Sequence, residues 1–272
     1  MKFFHQKGYV VAHGLLSGEA IAMARFGVAR YHAGERDWML PIAGGFLDWR
    51  EEHPDGLRIC DYVSLQCREF QELVMDPALG RAFAALAGAS EIRLFHDQLI
   101  SKSPGFPDRT AVGWHQDASY WNTCSSESML TAWIPLEPYD LRMGPLQVIP
   151  GSHRWPGHEW MTTFNDQDLQ GLMDRVRGDG SGAMPAPEPI LIAPGDVSFH
   201  AGGMIHGSAQ NLGTRPRVAL TVHVQDGANR YKHHVDDRGR VAVHVNDALC
   251  GKTGTGDPDY ADPIICPRLW PQ

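Results

Sequence analysis

GPLQVIPGSH, residues 144–153, is the stretch that decides the fold of this 272-residue chain. Residues 146–149 form a short apolar run, and the Pro-Gly pair that follows closes it with a turn, as is typical of a strand. The same punctuation follows the runs at 92–102 and 190–193. Because 19 prolines and 29 glycines are spread along the chain, many short strands separated by turns are expected. This pattern predicts a β-sandwich or jelly roll.

The predicted elements continue in both directions from this stretch. Strands are expected at residues 92–102, 113–117, 129–136, 146–149, 190–193, 197–200 and 217–225. Towards the N-terminus, a strand at 9–11 precedes a helix that Ser17 caps and that extends from residue 19 to about residue 31. A second helix begins at Asp76 or Pro77.

Two regions depart from this regular spacing. Residues 35–62 are rich in Trp, Gly, Pro and charge without a clear period, which predicts a long loop. Residues 152–189 contain a predicted helix at 166–177, and they form either a functional lid or an insertion without function. Since no repeat or linker is evident, we expect a single domain over residues 1–272 that ends in a tail at 226–272.

Composition narrows the classes of partner. The formal net charge is −8 and no run of Lys or Arg is present, which argues against nucleic acid and membrane surfaces as partners. Five cysteines without CxxC spacing predict neither a zinc site nor a disulfide framework. The N-terminus lacks the features of a signal peptide, and no stretch is long enough to span a bilayer. We therefore expect a cytoplasmic protein.

The motif HQD, residues 115–117, carries the first chemical signal. On an extended segment, side chains at i and i+2 point the same way, so His115 and Asp117 share one face. A further histidine would complete a two-histidine, one-carboxylate set, which suits ferrous iron and leaves coordination positions open. Because the chain has 14 histidines, the motif alone is better explained as a solvated pair at a strand end.

The third ligand has several candidates. His206 lies in the stretch MIHGS, residues 204–208, and is one of them. His200 and His153 are the alternatives. Spacing alone does not choose among the three histidines.

Taken in order, these motifs resemble the phytanoyl-CoA dioxygenase family of Fe(II)/2-oxoglutarate-dependent oxygenases. The resemblance covers roughly residues 3–225 and rests on an ordered set of stretches: GYVV at 8–11, HQD at 115–117, TAWIPL at 131–136, GPLQVIPGSH at 144–153 and HGS to PR at 206–217. It implies a mainly β fold, in which N-terminal α-helices pack on one side of a double-stranded β-helix (jelly-roll, cupin-like) core.

The resemblance also implies a metal site. His115, Asp117 and His206 would be the catalytic iron ligands. Related halogenases carry alanine or glycine at the carboxylate position, so the presence of Asp117 favours hydroxylation over chlorination.

A cosubstrate site follows from the same resemblance. Arg217, helped by Ser208, would bind the distal carboxylate of 2-oxoglutarate, since a guanidinium can bind a carboxylate in bidentate fashion. Arg215 has the same strand parity as Arg217 and is the alternative. Trp133 would line the cosubstrate pocket. Gln98 occupies a position where some relatives carry methionine as a cosubstrate contact, and its amide would hydrogen-bond a carboxylate or keto oxygen of the cosubstrate.

Strand alternation over RVALTVHV, residues 217–224, supports this placement of the arginine. Arg217 and His223 share one face, so His223 is either a pocket residue or a donor to another pocket residue. The valines of the stretch occupy the other face and are expected to pack in the core. Lys102 is either a second basic group near the pocket or a solvated lysine at a strand end.

Other side chains have two readings. Aromatic residues dominate both pocket walls and cores, so Tyr120, Trp121 and Trp155 fit either. Four histidines without a partner at ligand spacing are expected on the surface or in turns: His158, His233, His234 and His244.

The expected protein is therefore an Fe(II)/2-oxoglutarate-dependent dioxygenase that also uses O2. It would hydroxylate an unactivated C–H bond of a small-molecule substrate, with formation of succinate and CO2. The alternatives are desaturation, epimerisation or cyclisation with the same cofactors, and a jelly-roll protein that binds metal without turnover. The phosphates of an acyl-CoA would need a cluster of Lys or Arg, and the sequence has no such cluster near the expected site. Either a monomer or a homodimer is expected.

Overall fold

The computed structural model describes residues 2–40, 56–178, 185–236 and 238–272. Its strands form two antiparallel sheets. The larger sheet has the order β1 (Tyr9–Ala12), β8 (Val197–Ala201), β5 (Leu130–Pro135), β10 (Arg217–Asp226) and β3 (Ile92–Lys102), with β2 (Leu57–Asp61) and β11 (Arg268–Trp270) both paired to β3. The smaller sheet has the order β4 (Val112–His115), β9 (His206–Ser208), β6 (Gln147–Val148) and β7 (Glu188–Pro189).

The helices lie mainly towards the N-terminus. They are α1 (Lys2–Lys7), α2 (Gly18–His32), α3 (Arg68–Val74), α4 (Pro77–Ala87), α5 (Leu169–Gly178) and α6 (Asn246–Leu249). Ser17 caps α2 as predicted, because its Oγ accepts a hydrogen bond from the Ala20 amide at 3.0 Å. Asp76 caps α4 in the same way through the Ala78 amide at 2.7 Å, with Pro77 in the first turn. Among the described residues, no helix combines the length and the apolar character needed to cross a bilayer.

The main hydrophobic core lies between α2, α3 and α4 and one face of the larger sheet. Val218, Leu220 and Val222 of β10 are buried in this core. On the opposite face of the same strand, Arg217 and His223 line a cavity. The predicted alternation of β10 is therefore confirmed, and it separates the packing face of the sheet from the cavity face.

Two predicted elements are wrong. The loop expected at 35–62 contains β2, which pairs with β3 over Leu57–Asp61, while residues 41–55 of that loop lie outside the described part. The Trp, Gly, Pro and charged residues around this short strand indicated a loop, so the strand was not predicted. No strand is found at 190–193, since β7 ends before this range at Pro189. The Ile190 amide donates to the Leu146 carbonyl next to β6. The Pro-Gly pair at 194–195 therefore does not directly follow a strand.

The C-terminal segment completes the larger sheet. β11 pairs with the start of β3, and Leu269 enters the main core. Tyr260 and Cys266 belong to a second apolar cluster with Phe95 of β3. Within the segment predicted as a tail, β11, Tyr260 and Cys266 thus pack against the strand that also lines the cavity.

Candidate metal centre

Two histidines lie opposite each other in the smaller sheet. His115 at the end of β4 pairs with His206 at the start of β9. The Oδ1 atom of Asp117, in the turn that follows β4, is 3.6 Å from the Nε2 atom of each histidine. One ligand atom from each of the three residues lies within 4.8 Å of the others, and all three side chains are buried. This spacing fits a single metal ion.

Backbone carbonyls fix the orientation of both imidazoles. The Nδ1 atom of His115 is 2.7 Å from the Gly113 carbonyl, and Nδ1 of His206 is 2.9 Å from the Met204 carbonyl. A carbonyl only accepts hydrogen bonds, so each Nδ1 carries the proton and each Nε2 keeps its lone pair. A metal-binding histidine usually donates the N–H of its other ring nitrogen to such an acceptor. Burial lowers the pKa of His206 well below its usual value, which keeps this ring neutral.

The second oxygen of Asp117 faces away from this histidine pair. Oδ2 accepts a hydrogen bond from the Thr131 hydroxyl at 2.6 Å and lies 3.2 Å from Nε2 of His200. Burial by itself would raise the pKa of Asp117. The neighbouring imidazoles, with His206 and His223 first, outweigh burial and hold this pKa well below its usual value. Asp117 is therefore a carboxylate whose Oδ1 atom is held towards the histidine pair.

The two alternative ligands do not join this trio. His200 lies beside it, with its ring centroid 4.4 Å from that of His206 and its Nε2 atom 3.2 Å from Oδ2 of Asp117. His153 bonds through Nε2 to the His5 carbonyl at 3.2 Å, beside the N-terminal helix. Neither histidine is part of the group within 4.8 Å.

Two buried cations lie beyond the histidine pair. Arg217 is 3% exposed, and its Nε atom has no hydrogen-bond partner in the described part of the chain. Its Nη2 atom lies 3.4 Å from the Ser208 hydroxyl, to which the Lys102 ammonium also donates. Lys102 bonds further to the Ala209 carbonyl at 2.6 Å. Lys102 is therefore buried, which excludes the solvated strand-end reading.

Burial governs the charges of this pair. It lowers the pKa of Arg217 to about 10, and burial together with the Arg217 charge lowers the pKa of Lys102 well below its usual value. None of the carboxylates in the described ranges forms an ion pair with either cation. Buried basic groups are normally paired with an acid, so Arg217 and Lys102 form a site for an anion, which would also favour the charged form of Lys102.

The remaining predicted cosubstrate residues surround the same space. The Trp133 ring centre is 5.6 Å from the Arg217 guanidinium carbon. Gln98 donates to Asp61 at 2.8 Å. Arg215, the alternative clamp, is exposed and lies 3.5 Å from the Pro138 carbonyl. Of the two arginines, only Arg217 therefore reaches the cavity.

The predicted site residues line one cavity, which we call the inner chamber. All of them contribute to it: Gln98, His115, Asp117, Trp133, His206, Ser208 and Arg217. A larger space, the outer chamber, shares four residues with the inner one: Gln98, Asp117, Phe164 and His223. The two chambers therefore meet beside Asp117.

Aromatic and imidazole side chains line the outer chamber. Tyr120 and Trp121 take part, as one of their two readings predicted, whereas Trp155 packs against a separate cluster around Trp114. Phe164, from the insertion at 152–189, lies in edge contact with the His115 ring at 4.9 Å. A segment of the insertion thus covers the metal centre.

Sequence reasoning misplaced two histidines. His244 lines the outer chamber, although a surface or turn position was expected. It lies in an irregular segment before α6, so no periodic pattern pointed to it. His158 is 2% exposed and therefore also buried. Exposed His233 agrees with the expectation, and His234 is half-buried.

Thr131 and His200 were not predicted as supports of Asp117. Both lie on strands of the larger sheet, directly opposite each other in the β5–β8 pairing. Their alignment with Asp117 depends on the packing of one sheet over the other. Only strand parity, which places Thr131 and Trp133 on the same face, was a signal in the sequence.

Comparison with known proteins agrees with this geometry. Residues 4–219 match the phytanoyl-CoA dioxygenase (PhyH) family. The peroxisomal phytanoyl-CoA dioxygenase of Bos taurus is 30% identical over 275 residues, covering 96% of this chain and 78% of that protein. The 1-deoxypentalenic acid 11-beta-hydroxylase of Streptomyces exfoliatus is 24% identical over 243 residues, covering 84% of this chain and 81% of that protein.

Solved structures show the same fold. The non-heme alpha ketoglutarate dependent carbocyclase SnoK from nogalamycin biosynthesis superposes with a TM-score of 0.70 at 22% identity, covering 98% of this chain and 94% of that one. EctD from S. alaskensis, solved with 2-oxoglutarate and 5-hydroxyectoine, gives a TM-score of 0.65 at 21% identity over 85% and 77% of the two chains. The predicted jelly-roll fold is confirmed, although its two sheets do not close.

Proposed function

Because this chain belongs to the phytanoyl-CoA dioxygenase family, we propose that His115, Asp117 and His206 bind the iron of a hydroxylase. The chain is a non-haem, Fe(II)/2-oxoglutarate-dependent dioxygenase, an oxidoreductase that consumes O2. The observation that carries the assignment is the convergence of two Nε2 lone pairs and one carboxylate oxygen within 4.8 Å. Two imidazoles and one carboxylate suit Fe(II) and leave positions open for the cosubstrate and O2.

The donor set fits the metal, and the anion site fits the cosubstrate. Arg217 and Lys102 offer two cationic groups to the distal carboxylate of 2-oxoglutarate, and the Ser208 hydroxyl lies beside both. The unpartnered Nε of Arg217 is a donor that a carboxylate oxygen would satisfy. Trp133 flanks the guanidinium and Gln98 lies at the junction of the chambers, where an amide suits the other polar groups of the cosubstrate.

The protein residues position the reactants and exclude water. When bound, iron with 2-oxoglutarate and O2 supplies the oxidising power that breaks a C–H bond and releases succinate and CO2. Thr131 and His200 hold Asp117 so that Oδ1 points at the metal position. Phe164 shields His115 on the side of the outer chamber. This arrangement keeps the reacting C–H bond close to the metal and away from bulk water.

We place the substrate in the outer chamber and propose that it is a small molecule. Relatives are named for phytanoyl-CoA, but none of the described residues that line this chamber is Lys or Arg. Nothing in the described lining would therefore pair with the phosphates of coenzyme A. Hydroxylation is the proposed outcome, while desaturation, epimerisation or cyclisation would use the same residues and differ only in the product.

The complete clamp and ligand set argue against a metal-binding protein without turnover. We further propose that residues 1–272 act as one domain, with 152–189 as a lid and 226–272 as a segment that shapes specificity. The lid proposal rests on the contact of Phe164 with His115. A cytoplasmic location and a monomeric or homodimeric state remain proposals from the sequence.

The test of this function is the conversion of 2-oxoglutarate itself. We expect the protein with Fe(II), ascorbate and O2 to form succinate slowly without substrate, and faster with a compound that fills the outer chamber. The Asp117→Ala variant should lose this reaction. Absence of succinate from the wild-type protein under all these conditions would overturn the proposal, and product analysis by mass spectrometry separates hydroxylation from its alternatives.

A further inference from the structure

Three imidazoles outside the metal trio meet on one wall of the outer chamber. The ring of His96 stacks on that of His223 with centroids 5.4 Å apart and an interplanar angle of 17°. The ring of His244 meets His96 edge-on at 5.8 Å. All three line the outer chamber, and none belongs to the group that could hold the metal.

Hydrogen bonds fix the proton position on His244. Its Nδ1 atom accepts from the Asn246 amide at 3.2 Å. Burial lowers the pKa of His244 well below its usual value, so the ring is neutral. A neutral imidazole that accepts at Nδ1 carries its proton on Nε2. His244 therefore has an Nε2–H donor, for which the described part of the chain records no hydrogen-bond partner.

The orientation of His96 follows from Asp61. The Nε2 atom of His96 is 3.0 Å from Oδ1 of Asp61. Burial would raise the pKa of Asp61, but His96 and Gln98 outweigh burial and lower it, so the group is a carboxylate that accepts. His96 thus donates from Nε2, and in the tautomer with a single proton on Nε2 the Nδ1 atom is an acceptor to which no described group bonds.

The third ring repeats this logic closer to the metal centre. The hydroxyl proton of Thr131 goes to Asp117 at 2.6 Å, so the same oxygen accepts from Nδ1 of His223 at 2.9 Å. The Nε2 atom of His223 is then a second acceptor.

From this pattern we infer that the outer chamber binds a neutral, hydroxyl-bearing substrate, whose oxygen accepts from Nε2–H of His244 while its O–H donates to Nδ1 of His96. His223 lies between this pair and Asp117 and separates the bound hydroxyl from the metal centre. The inference rests on the proposed function and names the substrate class of the same site.

Charge and shape support a neutral ligand. Among the described residues that line it, the outer chamber offers no Lys or Arg to an anion, and their one carboxylate, Asp117, is engaged with the histidine pair. Tyr120, Trp121 and Phe164 supply aromatic walls. A carboxylate or phosphate in this chamber would therefore lose hydration without gaining a Lys or Arg partner from the described lining.

The test uses a matched series of four probes: 2-decalol, 2-methoxydecalin, decalin and decalin-2-carboxylate. Each is titrated anaerobically into the wild-type protein with Fe(II) and 2-oxoglutarate, and binding is followed by the visible charge-transfer band of that complex. We expect the alcohol to bind about fivefold more tightly than the ether, and the ether about fivefold more tightly than the hydrocarbon, since each step is worth one neutral hydrogen bond. The carboxylate should bind more weakly than the alcohol.

Variants of His244 and His96 test which residue makes each of the two hydrogen bonds. His244→Phe keeps an aromatic ring but removes the donor, so the preference for ether over hydrocarbon should disappear. His244→Gln, which retains an N–H near the Nε2 position, should restore it. His96→Phe should remove the preference for alcohol over ether, and His233→Phe, at an exposed position outside the chamber, should leave the series unchanged.

The charge-transfer band also distinguishes failure of the substrate inference from failure of the proposed function. Formation of the band in every variant shows that iron and 2-oxoglutarate bind normally. If the band forms and the four probes bind equally, fail to bind, or bind most tightly as the carboxylate, the inference is overturned while the proposed function survives. If the wild-type protein forms no band, the proposed function fails and this inference fails with it.

Discussion

His115 and His206 lie directly opposite each other in the ladder between β4 and β9, and their ring centroids are 4.1 Å apart. The two residues are far apart in the chain and strand pairing brings them together, while the bonds from Nδ1 to backbone carbonyls turn both Nε2 atoms towards the same carboxylate oxygen. Register in a sheet is fixed wherever one face is buried, because a slip by one residue would turn every side chain to the other face. The metal position is thus set by strand pairing.

The cosubstrate clamp can be tested at Arg217. Arg217→Met should raise the KM for 2-oxoglutarate about 10- to 100-fold, since hydrogen bonds to charged groups contribute about 1.5–3 kcal/mol. Steady-state kinetics of succinate formation measures the change. Arg215→Met is the matched control, because that side chain is exposed and should leave KM unchanged. A larger effect at Arg215 would contradict the assignment.

Lys102 should take up a proton when the cosubstrate binds. Burial and the Arg217 charge lower its pKa in the free protein well below 10.5, and a bound carboxylate would raise this pKa again. Between the lowered value and 10.5, binding therefore takes up protons, and the affinity for 2-oxoglutarate falls as the pH rises. Calorimetry in buffers of different ionisation enthalpy measures this uptake, which Lys102→Met should abolish. Equal uptake in the variant would show that another group titrates.

The support of Asp117 by Thr131 predicts a change in iron affinity. Thr131→Val keeps the shape but removes the hydroxyl that donates to Oδ2 at 2.6 Å. Loss of such a partner typically weakens metal affinity about 10- to 100-fold. Competition with a chelator measures this affinity, and Thr131→Ser should restore it. If Thr131→Val binds iron as tightly as the wild-type protein, Thr131 does not support Asp117 in metal binding.

The insertion can be tested at Gly113, which lies in β4 beside the metal centre. A Cβ atom at this position would lie 2.0 Å from the Thr163 carbonyl oxygen. Gly113→Ala should therefore displace the segment that carries Phe164 and destabilise the fold by about 1–3 kcal/mol, as overpacking does. Thermal unfolding measures the loss. Gly18→Ala, where nothing lies within 4 Å, should not lower the Tm, and an unchanged Tm in both variants would contradict this packing.

The sequence predicted the parts of the site that depend on local pattern. Parity along 217–224 correctly separated the core face of β10 from the cavity face that carries Arg217. The HQD motif placed two candidate ligands on the same side. These features follow from backbone geometry over a few residues, which a sequence displays directly.

Features that depend on packing between distant segments were not predicted. The positions of Thr131 and His200 behind Asp117 require both sheets to be in place. His244 reaches the outer chamber from a segment without regular structure. The strand β2 is short, and its pairing with β3 outweighs a weak local preference.

The most direct measurement of the central claim is the iron content of three purified proteins after equal loading with Fe(II) and removal of free metal. Alanine at position 206 removes a proposed ligand, and alanine at position 200 removes a neighbouring histidine whose Nε2 atom contacts Oδ2 of Asp117. The account predicts about one iron per wild-type chain, little iron in His206→Ala, and more iron in His200→Ala than in His206→Ala. Full iron content in His206→Ala together with its loss in His200→Ala would contradict it.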